Sequence, residues 1–137
     1  LDADKTKYIT VSNLRAGPTF LTTPLTSTAW DGDSHSTTPR TLIDLSTVFG
    51  APAGIKAVLV GVKVRDSASQ TADTYLLLSP NDTKWSGISV NPQYTNDRYN
   101  RTFVVVPCDE NGDIYYEIVA SGANTFDVIL EIWGYWL

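Results

Sequence analysis

Methionine is absent, cysteine and histidine occur once each, and charged side chains make up only 18% of the 137 residues. Each shortage closes off a class of chemistry. A single cysteine, Cys108, allows no intrachain disulfide, and without a second Cys or His there is no zinc-ligand spacing. No metal and no cofactor is therefore expected. Any Ser-His-Asp or Cys-His arrangement would have to use His35, which sits in a polar stretch with nothing around it like a nucleophile elbow. Cys108 follows Pro107 beside an apolar run and reads as a small buried hydrophobe. The net charge is −5, and no run of Lys and Arg exists to neutralise a phosphate backbone, so nucleic acid is excluded as a partner. No apolar run approaches the roughly 20 residues of a membrane span, so no membrane insertion is expected. The lack of any Met, an initiator included, is what a piece of a longer polypeptide would show.

Apolar residues at 42% are enough for a globular core, and the length suits one domain. Ordinary soluble proteins carry roughly a quarter charged residues. Here Ser and Thr take up that deficit, which suits strands and turns and allows for surface hidden in an oligomer. Residues 1–18 are charged and closed by Gly17-Pro18, and they are expected to be a connector. Residues 19–137 are expected to form the domain. Strand patterns follow at 20–29, 41–45, 55–65, 74–79, 85–90, 101–106, 114–120 and 125–137, with one helical turn at 46–50 and a polar loop at 30–40. Asn111-Gly112 suggests a hairpin between the sixth and seventh of these strands. No amphipathic helix of useful length appears. The expected fold is all-β: an antiparallel, jelly-roll-like β-sandwich of about eight strands.

The closing strand carries apolar groups on both faces. Phe126, Val128, Leu130 and Ile132 share one side by the period of two, while Ile129, Trp133 and Tyr135 share the other. A strand of that kind needs cover on both faces. Ile129, Trp133, Tyr135, Trp136 and Leu137 are therefore expected at an interface with another copy of the chain. Exposure as an aromatic ligand platform is the alternative.

Two segments carry a family resemblance. Asp4-Lys5-Thr6-Lys7-Tyr8-Ile9-Thr10-Val11-Ser12-Asn13-Leu14 resembles the short connector of phage tail-fibre and tail-spike proteins. The run TLIDLSTVFGAPAGIKAVLVGVKVRDS, residues 41–67, together with the aromatic closing strand, resembles the C-terminal β-domains of phage and prophage virion fibres. The resemblance implies a non-enzymatic fibre domain in the virion that assembles as a homotrimer and binds a host cell-surface glycan or protein. It supplies no motif that assigns roles to numbered residues. A carbohydrate-binding module of a larger enzyme, or a capsid-decoration or adhesion domain, are the other readings.

Candidate ligand residues come from local chemistry alone. Trp85, Tyr94, Arg98, Tyr99 and Arg101 combine the side chains that most often dominate binding energy with a polar, tyrosine-bearing loop. Trp30 and His35 join Asp31 and Asp33 on one stretch that suits a sugar or cation, although Asp-Gly is also an ordinary turn. Asp109-Glu110-Asn111-Gly112-Asp113 resembles half of a Ca²⁺ loop, but position twelve is Ala120 and not the required Glu. Glu117 and Glu131 lie within strands and are expected to face outward, not to form a catalytic pair.

Overall fold

The computed structural model describes residues 17–69, 72–83 and 86–137; most of the expected connector, and Trp85, lie outside the described residues. Nine strands follow in order: β1 Pro18–Leu25, β2 Asp31–His35, β3 Thr38–Ile43, β4 Ala57–Asp66, β5 Tyr75–Ser79, β6 Ile88–Val90, β7 Asn100–Pro107, β8 Ile114–Val119 and β9 Phe126–Trp136. They form two antiparallel sheets. The first runs β1-β9-β4-β7, with β2 sharing the same edge of β9 as β1, and the second runs β3-β8-β5-β6. Set β1 aside, and eight strands fall into the orders 2-9-4-7 and 3-8-5-6, with the chain crossing between sheets at nearly every connection. That connectivity is a jelly roll.

The alternating sequence explains which face each strand buries. Val58, Val60, Val62 and Val64 of β4 are fully buried, as are Phe126 and Val128 of β9, and they meet Leu76, Leu78 and Ile118 of the second sheet in one core. β-branched residues suit this pleated, close-packed setting. The one α-helix among the described residues, α1 Leu45–Phe49, is one turn and a half placed by its ends. The Asp44 carboxylate accepts from the Thr47 amide at 2.9 Å, and Gly50 closes it at φ +72°, a conformation that favours glycine.

Three features depart from expectation. The 30–40 stretch is not all loop, because β2 pairs with β9 from Asp31↔Ile129 to His35↔Phe126. Backbone pairing with a strong neighbour overrides the turn-like composition of Asp-Gly-Asp-Ser. The Asn111-Gly112 turn does not close a hairpin either. β7 pairs with β4 while β8 lies between β3 and β5, so this turn carries the chain from one sheet to the other. Asp109 shapes it by accepting from the amides of Asn111 and Asp113, each at 2.9 Å.

The third departure is in β9. Its register against β4 shifts between Val60↔Ile132 and Leu59↔Gly134, which leaves Trp133 as the extra residue of a bulge. Every side chain beyond it changes face. Tyr135, opposite Val58, therefore packs against the core and not beside Trp133.

Candidate functional site

The outer face of the first sheet is apolar over one half and charged over the other. Across the apolar half the register sets Phe20 beside Gly134, Leu59 and Val105, and Pro18 beside Trp136, Ala57 and Pro107. Phe103 lies opposite Gly61, and the Trp133 indole folds over that glycine. The two aromatic rings meet edge-on at 6.4 Å. The side chains that stand out from this half are well exposed: Phe20 67%, Phe103 63% and Val105 47%. Leu137 is exposed at its margin. Nothing within the described residues covers them.

Glycine makes room for the indole. A Cβ on Gly61 would stand 3.0 Å from both Cδ1 and Nε1 of Trp133. The indole N–H then donates to Glu131 Oε2 at 3.1 Å, and Glu131 Oε1 accepts from Lys63 Nζ at 3.1 Å. Beside these groups is a depression of about 180 Å³ lined by Gly61, Lys63, Arg101, Phe103 and Glu131.

At the charged half, Arg65 Nε donates to Asp127 Oδ2 at 2.5 Å, and the Ser34 hydroxyl bonds the other oxygen of the same carboxylate. The Arg65 guanidinium also lies over the Tyr99 ring, 4.7 Å from its centre, with Arg101 5.6 Å away. Of the loop residues expected to form one recognition surface, Tyr99 and Arg101 thus come together. Arg98 is exposed on the same loop, and Tyr94 stands apart at 92% exposure.

The outer face of the second sheet carries a cleft of about 550 Å³. Arg40, Asp73, Tyr75, Leu77, Glu117 and Asn91 line it, with Ser89 of β6 and Gly87 just before that strand. Its floor is one row of the sheet, Glu117 to Leu77 to Ser89. Gly87 is obligatory at the rim: its φ is +139°, and a Cβ would meet Leu77 Cδ2 at 2.5 Å. The Tyr75 hydroxyl donates to Glu117 Oε1 at 3.1 Å, and Arg40 Nε lies 3.5 Å from Glu117 Oε2. Burial, and then the Glu117 carboxylate, raise the Tyr75 pKa, so the phenol stays a donor. The Arg40 Nη1 group binds Ser79 Oγ and the carbonyls of Asn81, Thr83 and Ser86, and so holds these four residues together. A second depression of about 320 Å³ adjoins this cleft, sharing Asp73 and Asn91 and reaching Pro92 and Tyr94.

No known family model matches the chain, and no curated protein is similar to it in sequence.

Trp30 and His35 occupy other ground. Trp30 is only 5% exposed, in edge contact with the Tyr116 ring and stacked on His35 at 5.0 Å. The indole is a core side chain with no free face for a ligand. Burial lowers the His35 pKa despite Asp33 and Asp127 nearby. Cys108 is half-buried against the core, and burial, with Asp109 and Asp113, pushes its thiol up to about 12. The thiolate that a cysteine nucleophile needs is not populated near neutral pH. Glu117 and Glu131 stand on the outer faces of opposite sheets, so they cannot flank one glycosidic bond. Among the described residues no group of three His, Cys, Asp or Glu converges to hold a metal ion.

Sequence reasoning missed Arg40, Asp73, Tyr75, Ser89 and Asn91. They come from separate strands and turns, and no local spacing links them. One signal was present: Glu117 interrupts the otherwise apolar or aromatic strand β8.

Proposed function

We propose that this chain is a non-enzymatic assembly and attachment domain, the C-terminal β-domain of a virion fibre. Three copies pack through the outer face of the β1-β9-β4-β7 sheet, and the domain binds a host-surface receptor. The observation that carries the reading is the exposed apolar half of that sheet, from Phe20 across Trp133 and Phe103 to Val105. A contiguous exposed patch of this kind, rimmed by Arg65, Lys63, Asp127 and Glu131, marks an interaction surface. The connector-like and strand-rich segments that resemble fibre domains supply the virion setting.

A second copy is the occupant that fits. The face holds both a knob and a hole: Phe20 and Leu137 project at one side, and the depression over Gly61 beside Phe103 lies further across. A patch that offers unlike complementary parts makes a head-to-tail contact, and such a contact with a threefold rotation closes into a ring of three. The alternation of Arg and Lys with Asp and Glu at the rim suits the same arrangement, with opposite charges meeting across the joint. The interface residues expected from sequence, Ile129, Trp133, Trp136 and Leu137, are partly or well exposed, whereas Tyr135 turns to the core.

Light scattering on the whole chain tests this reading. The expected mass is near three times 15.0 kDa at tens of micromolar. Phe103→Glu puts a charge on an exposed side chain, costs the monomer little, and is expected to give a folded species near 15.0 kDa. A wild-type mass near 15.0 kDa sinks the trimer.

A further inference from the structure

We propose that the two adjoining depressions outside the second sheet form one groove for a neutral oligosaccharide, running from Leu77 and Glu117 past Asp73 and Asn91 to Tyr94. The proposal rests on the reading of the chain as an attachment domain and names the ligand class of that attachment.

The shape favours an extended ligand. The wider depression, about 550 Å³, and the narrower, about 320 Å³, share Asp73 and Asn91 and so lie side by side. A groove that continues from one depression into the next fits consecutive units of a chain better than one compact molecule. Its walls are built for hydroxyl groups. Glu117 and Asp73 are acceptors that can take two donors each, as vicinal hydroxyls supply them, while Ser89 and the Asn91 amide can donate in return. The Asn91 amide is already oriented by its bond to the Thr74 carbonyl at 3.0 Å.

The charge balance of the described lining favours a neutral ligand. Arg40 is the only cation lining either depression among the described residues. Its Nη1 is spent on Ser79, Asn81, Thr83 and Ser86, and its Nε faces Glu117. Among the described residues, two carboxylates thus line the depressions against one cation that is already paired with Glu117, a balance that favours a neutral ligand over sialic acid or phosphate. The wider depression also has the rigidity of a built site: the Arg40, Glu117 and Tyr75 side chains hold one another, and Gly87 keeps the rim against Leu77. At the far end Tyr94 is 92% exposed. An aromatic ring in that position gives a flat apolar face on which a pyranose can stack, and it is ready to be buried by the next unit of the chain.

Amide-shift titrations of the whole chain with maltotriose, lactose, chitotriose and 3′-sialyllactose test the proposal. The expected result is that at least one neutral probe moves the amides of β5, β6 and Tyr94 at millimolar concentration, with 3′-sialyllactose weaker than lactose. Ser89→Tyr fills the wider depression from an exposed strand position and leaves the Arg40 contacts alone. It should weaken the neutral probe at least tenfold, and Tyr94→Ala, which removes only an exposed ring, should do the same. The proposal is overturned if no neutral probe moves those amides, if binding survives both variants, or if 3′-sialyllactose binds more tightly than lactose. The mass of each sample is read alongside. A monomer that binds the neutral probe removes the fibre reading and keeps the groove, and a trimer that binds none does the reverse.

Discussion

Asp66 shows how one side chain can fasten two turns. It is fully buried at the end of β4 and accepts from the Ala68 amide at 2.8 Å, the Ser121 amide at 2.9 Å, the Ser121 hydroxyl, and Thr125 Oγ1 at 3.2 Å. Burial alone would raise its pKa. The Ser121, Ala68 and Thr125 donors outweigh that and hold the carboxyl below its ordinary value of 3.8. Because the folded form is the stronger acid, its contribution is full above the ordinary carboxylate range and is lost as pH falls through the lowered value. Asp66→Asn replaces an acceptor with a donor facing those same amides. It is expected to cost about 3 kcal/mol near neutral pH. Urea unfolding at pH 7 and at pH 3 checks this: the gap between wild type and variant should shrink at the lower pH, and a constant gap would show that the charge is not what matters.

At the scale of elements, β9 and β4 show what can be read in a one-dimensional pattern. Val58 to Val64 and Phe126 to Ile132 alternate cleanly, so the core faces were legible, and Gly50 announced the end of α1. The bulge at Trp133 was not legible, because it arises only when two strands are laid side by side and one has a residue too many. Period two then breaks, and Tyr135 lands on the face opposite to the one its spacing implies. The β7–β8 turn failed for a related reason. Asn-Gly fixes a local reversal of the chain, but the choice of sheet depends on which edge is free to pair. The groove was hidden more deeply, since Arg40, Tyr75, Ser89 and Glu117 meet only after four strands have found their order. The Gly61 and Trp133 pair yields a prediction at this scale. Gly61→Val suits a strand but displaces the indole, because its Cβ would stand 3.0 Å from that ring. Monomer stability is expected to fall by about 1–2 kcal/mol, because Gly61 is buried beneath the indole that Val would displace. Self-association should weaken at least tenfold, read as the shift in the dilution curve of scattered mass.

For the whole molecule, the proposed readings divide the labour between two unlike outer faces: the apolar one for copies of itself, the polar and grooved one for a ligand. If association buries the apolar face, stability is linked to concentration by mass action. The melting temperature of the wild-type chain should therefore rise by several degrees over a hundredfold increase in concentration. That of Phe103→Glu should stay constant. Equal slopes for the two proteins would separate melting from assembly and count against the proposed interface.

β9 also sets the order in which the sheet can form. It pairs with β1, β2 and β4, so it is the hub of the first sheet although it is the last strand of the sandwich in sequence. During synthesis β1, β2 and β4 leave the ribosome well before the strand that joins them. Until then β4 can pair with β7 alone, and β1 and β2 are unpaired edges. A chain halted short of residue 126 could never close, and its open edges would invite pairing with other chains. Closure of the first sheet therefore waits until translation has passed β9.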